Sequence, residues 1–181
     1  MKKAFTMMEL VIVIVIIGIL AAFVMPRMSS NKTAEAAVKL LSDIRYTQHL
    51  AMVDDKYDAA NATWYENIWQ MRFIGNTYSI VSDNNTTFAI NPMESNGTMQ
   101  NIDLNDMFGV TMFGGGSCAP ALAGGMMGFD HVGRPIRGDL TGTGTAYQAN
   151  LLNADCIITV SGNAQNIVIR LRPETGYASI D

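Results

Sequence analysis

The chain has 181 residues and a mass of 19.7 kDa, enough for one domain with a substantial core. Twelve basic residues against sixteen acidic ones give a net charge of −4, which disfavours a broadly basic nucleic-acid binder. With 49% hydrophobic and only 15% charged residues, a largely disordered chain is excluded as well.

The chain opens Met1-Lys2-Lys3-Ala4 and then turns apolar. From Phe5 to Met25 the only polar side chains are Thr6 and Glu9. As a helix these residues would span about 31 Å, the thickness of a bilayer core. The run is too long for a secretory signal peptide, and Phe23-Val24-Met25-Pro26 is a poor cleavage site. A membrane anchor fits, with Lys2 and Lys3 holding the N-terminus in the cytoplasm. Glu9 is the anomaly. A carboxylate in an apolar helix either sits at the membrane interface or has a partner and a function.

The segment KKAFTMMELVIVIVIIGILAAFVMPR closely resembles the N-terminus of type IV pilins and of type II secretion pseudopilins. The resemblance implies that a prepilin peptidase cuts between Ala4 and Phe5, that Phe5 is then N-methylated, and that Glu9 acts in filament assembly. The family usually has Gly before the cut, where this chain has Ala4. Glu9 of one subunit would pair with the new amine of a neighbour, since two charges in an apolar core are tolerable only when paired. Gly18 and Pro26 both weaken a helix and imply local flexibility, while Gly18 with Ala22 allows close helix approach. Loss of Lys2 and Lys3 would leave ten basic against sixteen acidic side chains, a balance of −6.

Ser29, Ser30 and Asn31 offer caps for a second, amphipathic helical stretch reaching about Asp54. Ala34, Ala37, Leu41, Ile44 and Ala51 mark its apolar face, with Val38 and Leu40 beside it. Lys32, Glu35, Lys39 and Asp43 mark the polar side. This predicts a continuation of the first helix, kinked at Pro26, with its stripe packed on a head.

The remainder, 57–181, is predicted to be mainly β. Trp69, Met71 and Phe73 alternate with Gln70 and Arg72, Gly75-Asn76 forms a turn, and Tyr78 to Val81 pairs back. Thr86 to Ile90 is a further short strand. Ile157 to Val160 and Ile167 to Leu171 form a hairpin around SGNAQN. Residues 91–125, rich in Asn, Gly and Met, are predicted to be a long loop. Gly114-Gly115-Gly116 lacks the context of a phosphate loop. Phe129 is a core candidate and Gly133 a turn residue.

Three segments of this region carry a second resemblance. LLSDIRYTQHLAM (40–52), MGFDHVGRP (127–135) and NIVIRLRPETGYAS (166–179) look like the helix and two C-terminal β motifs of the GspH/FimT group of minor pseudopilins and minor pilins. The fold implied is α+β: a long N-terminal helix, half membrane-embedded and half amphipathic, packed on a mainly antiparallel β head. The parts are a leader at 1–4, an assembly helix at 5–28, an amphipathic helix at 29–56 and the head at 57–181.

Cys118 and Cys156 fall in the segment expected to be exported, where a disulfide is one outcome and two buried thiols the other. The bridge would close a loop of about 38 residues, worth roughly 4 kcal/mol in the chain-entropy model. Asn85 and Asn96 each lie in an Asp/Glu-x-Asn-x-Ser/Thr segment, a glycosylation pattern in some bacteria and otherwise a polar loop. Asp103, Asn105 and Asp106 offer oxygens to Ca2+ without completing an EF-hand. His49 and His131 stand apart, so no zinc pattern exists. No catalytic constellation or resident cofactor is expected.

The leading expectation is a structural subunit of a type II secretion pseudopilus. It would be held in the inner membrane with its head in the periplasm, then enter a filament with other pseudopilins, near secreted cargo and the outer-membrane secretin. The alternative is a FimT-like minor pilin acting in pilus biogenesis or DNA uptake. DNA would need a local patch built from Arg134, Arg137, Arg170 and Arg172 on an acidic head.

Overall fold

The computed structural model describes residues 6–28, 32–116, 125–137, 147–162 and 165–181, with the backbone alone at 22–28, 113–116 and Tyr147. Helix α1 spans Met7–Met28 and α2 spans Lys32–Val53. The expected leader and cut site (Ala4, Phe5) and the expected caps Ser29 to Asn31 lie outside the described residues. Helical backbone passes through Pro26 and ends at Met28.

Among the described residues, ten short strands follow in two antiparallel sheets. In the first, β1 (Gln70–Ile74) pairs with β2 (Thr77–Ser82) around Gly75-Asn76, in the register Met71 opposite Ile80 and Phe73 opposite Tyr78. β2 also pairs with β3 (Thr87–Phe88) and β4 (Ile102–Asp103). On the other side of β1 lie β6 (Met126–Phe129) and β7 (Pro135–Arg137). The second sheet runs β10 (Ala178–Ile180), β9 (Gln165–Leu171), β8 (Cys156–Gly162) and β5 (Thr111–Gly116). The α+β expectation therefore holds, as do both hairpins. Gly75, at φ +61, supplies the left-handed residue that the first turn needs.

The core forms where α2 lies on both sheets. Ala36, Ala37, Leu40, Leu41, Ile44 and Ala51 meet Met71, Phe73 and Ile80 from one sheet and Ile158, Val160, Ile169 and Leu171 from the other. Phe129 is fully buried, as expected of it. A smaller cluster of Tyr65, Ile68 and Ile136 covers part of the first sheet separately, with Trp64 and Leu151 against it.

Four sequence expectations are corrected. Asp43, placed on the polar side of α2, is only 5% exposed, because a tyrosine and a lysine satisfy its carboxylate inside the head. Val38, placed beside the apolar stripe, is 57% exposed, because α2 turns that flank away from both sheets. Gln70, assigned to an outer strand face, is fully buried. Its neighbours across β1 are Val81 and Gly128, where any side chain would press on Ile68 and on Gln70 itself. The loop expected at 91–125 contains β4, the short helix α3 (Leu104–Phe108) and β5. Glycine weakens a strand locally, yet β5 is held by six-residue pairing with β8, from Thr111–Ser161 to Gly116–Cys156.

Gly176 links the tertiary parts. It has φ +63, and a Cβ there would collide with the Gly133 carbonyl oxygen and the Gln48 amide. Gly176→Ala is expected to destabilise the chain by about 2–4 kcal/mol, read as a lower thermal midpoint of the purified protein. An unchanged midpoint would contradict this packing.

Candidate functional site

Helix α1 begins at a cap that the sequence reading missed. The Thr6 hydroxyl accepts the Glu9 backbone N–H at 3.3 Å, and the Thr6 carbonyl accepts from Glu9 and Leu10 at 3.1 and 3.2 Å. Thr-x-x-Glu before an apolar run is the signal that identifies it. Glu9 thus sits in the first helical turn, where the unpaired backbone N–H groups favour a negative charge.

Every described side chain of α1, from Met7 to Ala21, is exposed. Leu10 to Ile17 and Ile19 to Leu20 each leave 45–60% of their surface uncovered. Around Gly18, apart from its chain neighbours and the helix's own backbone, no described residue comes within 4 Å of where a Cβ would stand. So large an apolar surface calls for a covering that the described residues do not supply. The Glu9 carboxylate likewise has no partner among the described residues. Among those residues no helix is long and apolar enough to cross a membrane. The span expected over 5–25 includes Phe5 and the side chains beyond Ala21, which are not described.

Helix α2 holds the head through polar bonds along its length as well as through its apolar stripe. Thr33 donates to the Gly162 carbonyl at 2.9 Å, Arg45 to Ala178 at 2.8 Å and the Tyr46 hydroxyl to Ile90 at 2.9 Å. Near its centre the Asp43 carboxylate accepts from the Tyr78 hydroxyl at 2.5 Å and from Lys39 Nζ at 2.6 Å. Burial first, then the negative charge of Asp43, pushes the Tyr78 hydroxyl far above its ordinary value, so it stays a donor.

One side chain joins all three segments that carry the second resemblance. Gln48 Nε2, on α2, donates to the Gly133 carbonyl at 2.9 Å and to the Thr175 carbonyl at 3.0 Å. Gly133 closes the turn after β6, at φ +87. That turn is built on buried Asp130, which accepts from the backbone of Val132 and Arg134 and from Arg134 Nε. Thr175 and Gly176 form the turn between β9 and β10. Nothing in the spacing of 40–52, 127–135 and 166–179 foretold this meeting point.

Three of the four arginines considered for DNA face carboxylates. Arg134 pairs with Asp130 at 2.7 Å, Arg170 with Asp155 and Asp181 at 3.0 and 2.5 Å, and Arg172 with Asp155 at 2.8 Å. Arg137 lies half-buried on β7.

The Asp103 carboxylate, considered for Ca2+, accepts from the backbone of Asn105 and Asp106 and caps α3. Among the described residues no three His, Cys, Asp or Glu side chains gather as a metal site would require. Exposed His49 lies on α2, and His131 packs against Tyr57 and Trp64 at ring distances of 4.9 and 5.7 Å. Cys156, buried at the start of β8, is disulfide-bonded, and Cys118, its expected partner, lies outside the described residues.

The ion pairs set an acid limit. A hydrogen bond from Lys56, with a second from Trp69, holds Asp54 below the usual carboxylate value despite partial burial. Bonds from Arg170 and Arg172 do the same for Asp155. Both groups are more acidic folded than unfolded. Their stabilisation is therefore present above the unfolded value of 3.8 and is lost as pH falls through the lower folded values. Thermal midpoints should be flat from about pH 7 to pH 5 and fall below about pH 4. Loss on raising the pH across that range would contradict the assignment.

Residues 1–25 match the family model described as the prokaryotic N-terminal methylation motif. The match supports a type IV pilin-like protein, with processing by a prepilin peptidase and assembly with other pilins. No curated protein and no solved structure matches the chain.

Proposed function

We propose that this chain is a structural subunit of a type IV pilus-like filament, specifically a minor pseudopilin of a type II secretion system. The observation that carries the filament role is α1, an apolar helix with every described side chain exposed and a single carboxylate in its first turn. The motif at 1–25 supports the same role. In this proposal the peptidase cuts between Ala4 and Phe5, and Phe5 is methylated. The helix then holds the chain in the inner membrane until neighbouring α1 helices replace lipid around it. The role is mechanical, with no cofactor and no reaction.

The minor pseudopilin assignment rests on the GspH/FimT-like segments and is supported by their convergence at Gln48. A FimT-like pilin acting in DNA uptake is the less favoured alternative, because acids already occupy Arg134, Arg170 and Arg172. Phosphate binding would have to displace those carboxylates.

Two measurements test the proposal. Mass spectrometry of the chain from its own cells should find a methylated Phe5 at the N-terminus. An intact Met1-Lys2-Lys3-Ala4 leader would sink the filament role. In a deletion strain, exoproteins should accumulate in the periplasm while DNA transformation stays normal. Normal secretion with lost transformation would replace the pseudopilin with the competence pilin.

A further inference from the structure

The two Asp/Glu-x-Asn-x-Ser/Thr segments occupy different surroundings. Asp83, Asn84 and Asn85 form a tight turn with φ of 51, 55 and 66°. The turn is tied down where Asp83 and Asn84 donate to the carbonyls of Asn67 and Glu66, both at 3.2 Å. Asn85 is half-buried, and its amide oxygen faces inward without a partner.

The loop at 91–97 is built the other way. Its base is closed by Asn91 N–H to the Gly97 carbonyl at 2.8 Å and by pairing of Ile90 with Thr98. Asn91 also caps the loop from within, accepting from Met93 N–H at 3.0 Å. The closed base carries Glu94, Ser95 and Asn96 outward, and all three are exposed, as is Thr98. Asn96 has φ +80, and Gly97 follows it where any side chain would strike Glu94 and Asn91. The result is a rigid base with an accessible asparagine at its tip, its acidic residue two before and its threonine two after.

We propose that Asn96 is an N-glycosylation acceptor and that Asn85 is not. The donor class is an oligosaccharide linked through pyrophosphate to a membrane lipid. Asn96 Nδ2 attacks the anomeric carbon of the first sugar. The N–C bond forms, the C–O bond to phosphate breaks, the amide gives up one proton, and the lipid pyrophosphate leaves. Transfer needs the amide and the threonine hydroxyl to enter the active site of a separate enzyme together. Asn96 at the loop tip and Thr98 at its base are both exposed and allow this, whereas Asn85 is half-buried, with its amide oxygen turned inward, on a turn pinned at Asp83 and Asn84. A glycan there would stand beside the exposed apolar side chains Met93 and Val38, which line one groove.

The inference goes beyond the filament role and depends on the head being exported, so its test reads both. The full chain is purified from the cells that make it, and peptides carrying the N-terminus, Asn85 and Asn96 are analysed by mass spectrometry. A sugar addition is expected on Asn96, abolished by Asn96→Gln and by Thr98→Ala and unaffected by Asn85→Gln. A chain that starts at Phe5 with Asn96 unmodified, or that carries its sugar on Asn85, overturns the proposal. A chain that retains Met1 has escaped the peptidase, which counts against the filament role and not against Asn96. That chain is then incubated, folded, with a bacterial oligosaccharyltransferase and a lipid-pyrophosphate oligosaccharide. Transfer to Asn96 with none to Asn85 until the chain is unfolded is expected, and failure at Asn96 overturns the proposal.

Discussion

Glu9→Gln should leave leader removal intact and abolish filament assembly. Glu9 lies in the first turn of a helix whose described side chains are all exposed and, around it, apolar. In the proposed filament those side chains would be covered by other helices, and the carboxylate would go with them into a medium of low polarity. It is tolerated there only opposite a positive charge, which the amine freed at Phe5 of a neighbour would provide. Replacing the carboxylate leaves that amine buried without its counter-charge, a loss of about 3–5 kcal/mol when one partner of a buried pair is removed. That corresponds to roughly two to four orders of magnitude in association at each contact. The measurement is the yield of sheared filaments or of cross-linked subunits, with the N-terminal mass followed in parallel. A processed Glu9→Gln subunit that assembles as well as the parent would remove Glu9 from the mechanism. Unprocessed protein would instead place Glu9 in recognition by the peptidase.

Asp43→Ala should be among the most damaging substitutions in the head. The carboxylate is 5% exposed and accepts from both Tyr78 and Lys39. Truncation leaves a buried tyrosine hydroxyl and a partly buried ammonium without their acceptor. The expected cost is about 3–5 kcal/mol, or a fall of roughly 6–20 °C in thermal midpoint for a domain of this size. Tyr78→Phe removes one donor and leaves Lys39 in place, so about 1.5–3 kcal/mol is expected. The two changes share one bond and should be non-additive by about 1–3 kcal/mol in a double-mutant cycle on the full chain in detergent. Additivity would mean that the contact between α2 and β2 carries no energy of its own. Loss of this bond also frees α2 to turn against the head. A filament built through the helix should then hold its heads less uniformly, which electron microscopy of the Asp43→Ala filament would read.

The legible parts of this molecule are those whose physics is local. An apolar run of 21 residues with one carboxylate needs no tertiary context to be read as a helix seeking a covering. Thr6 three residues before Glu9 marks the start of that helix, although only the structure drew attention to it. Alternation at Met71 and Phe73, closed by Gly75-Asn76, encodes β1 and β2 because period-two burial and a left-handed glycine are properties of a few adjacent residues. The same holds for Ile167, Ile169 and Leu171 opposite β8.

Asp43 shows where local reading fails. Four residues after Lys39 on a helix, it has the pattern of an exposed ion pair, and the pair does form, at 2.6 Å. Helical periodicity states which residues share a face, but not how wide the covered face will be. Here two sheets wrap α2 far enough to bury Asp43, and Tyr78, 35 residues away, makes that burial tolerable. β5 fails for the related reason that its glycines carry no strand preference. Its conformation comes from pairing with β8, across 40 to 50 residues of chain.

The amino-acid order alone therefore determined the N-terminal helix, its lone carboxylate and the main hairpins, because each depends on side-chain period and turn chemistry within a few residues. Tertiary structure alone decided the burial of Asp43 and Gln70, the meeting of three distant segments at Gln48, and which of two equivalent asparagine segments stands open to solvent. Those outcomes depend on what packs against a face, and the groups that pack there come from remote parts of the chain.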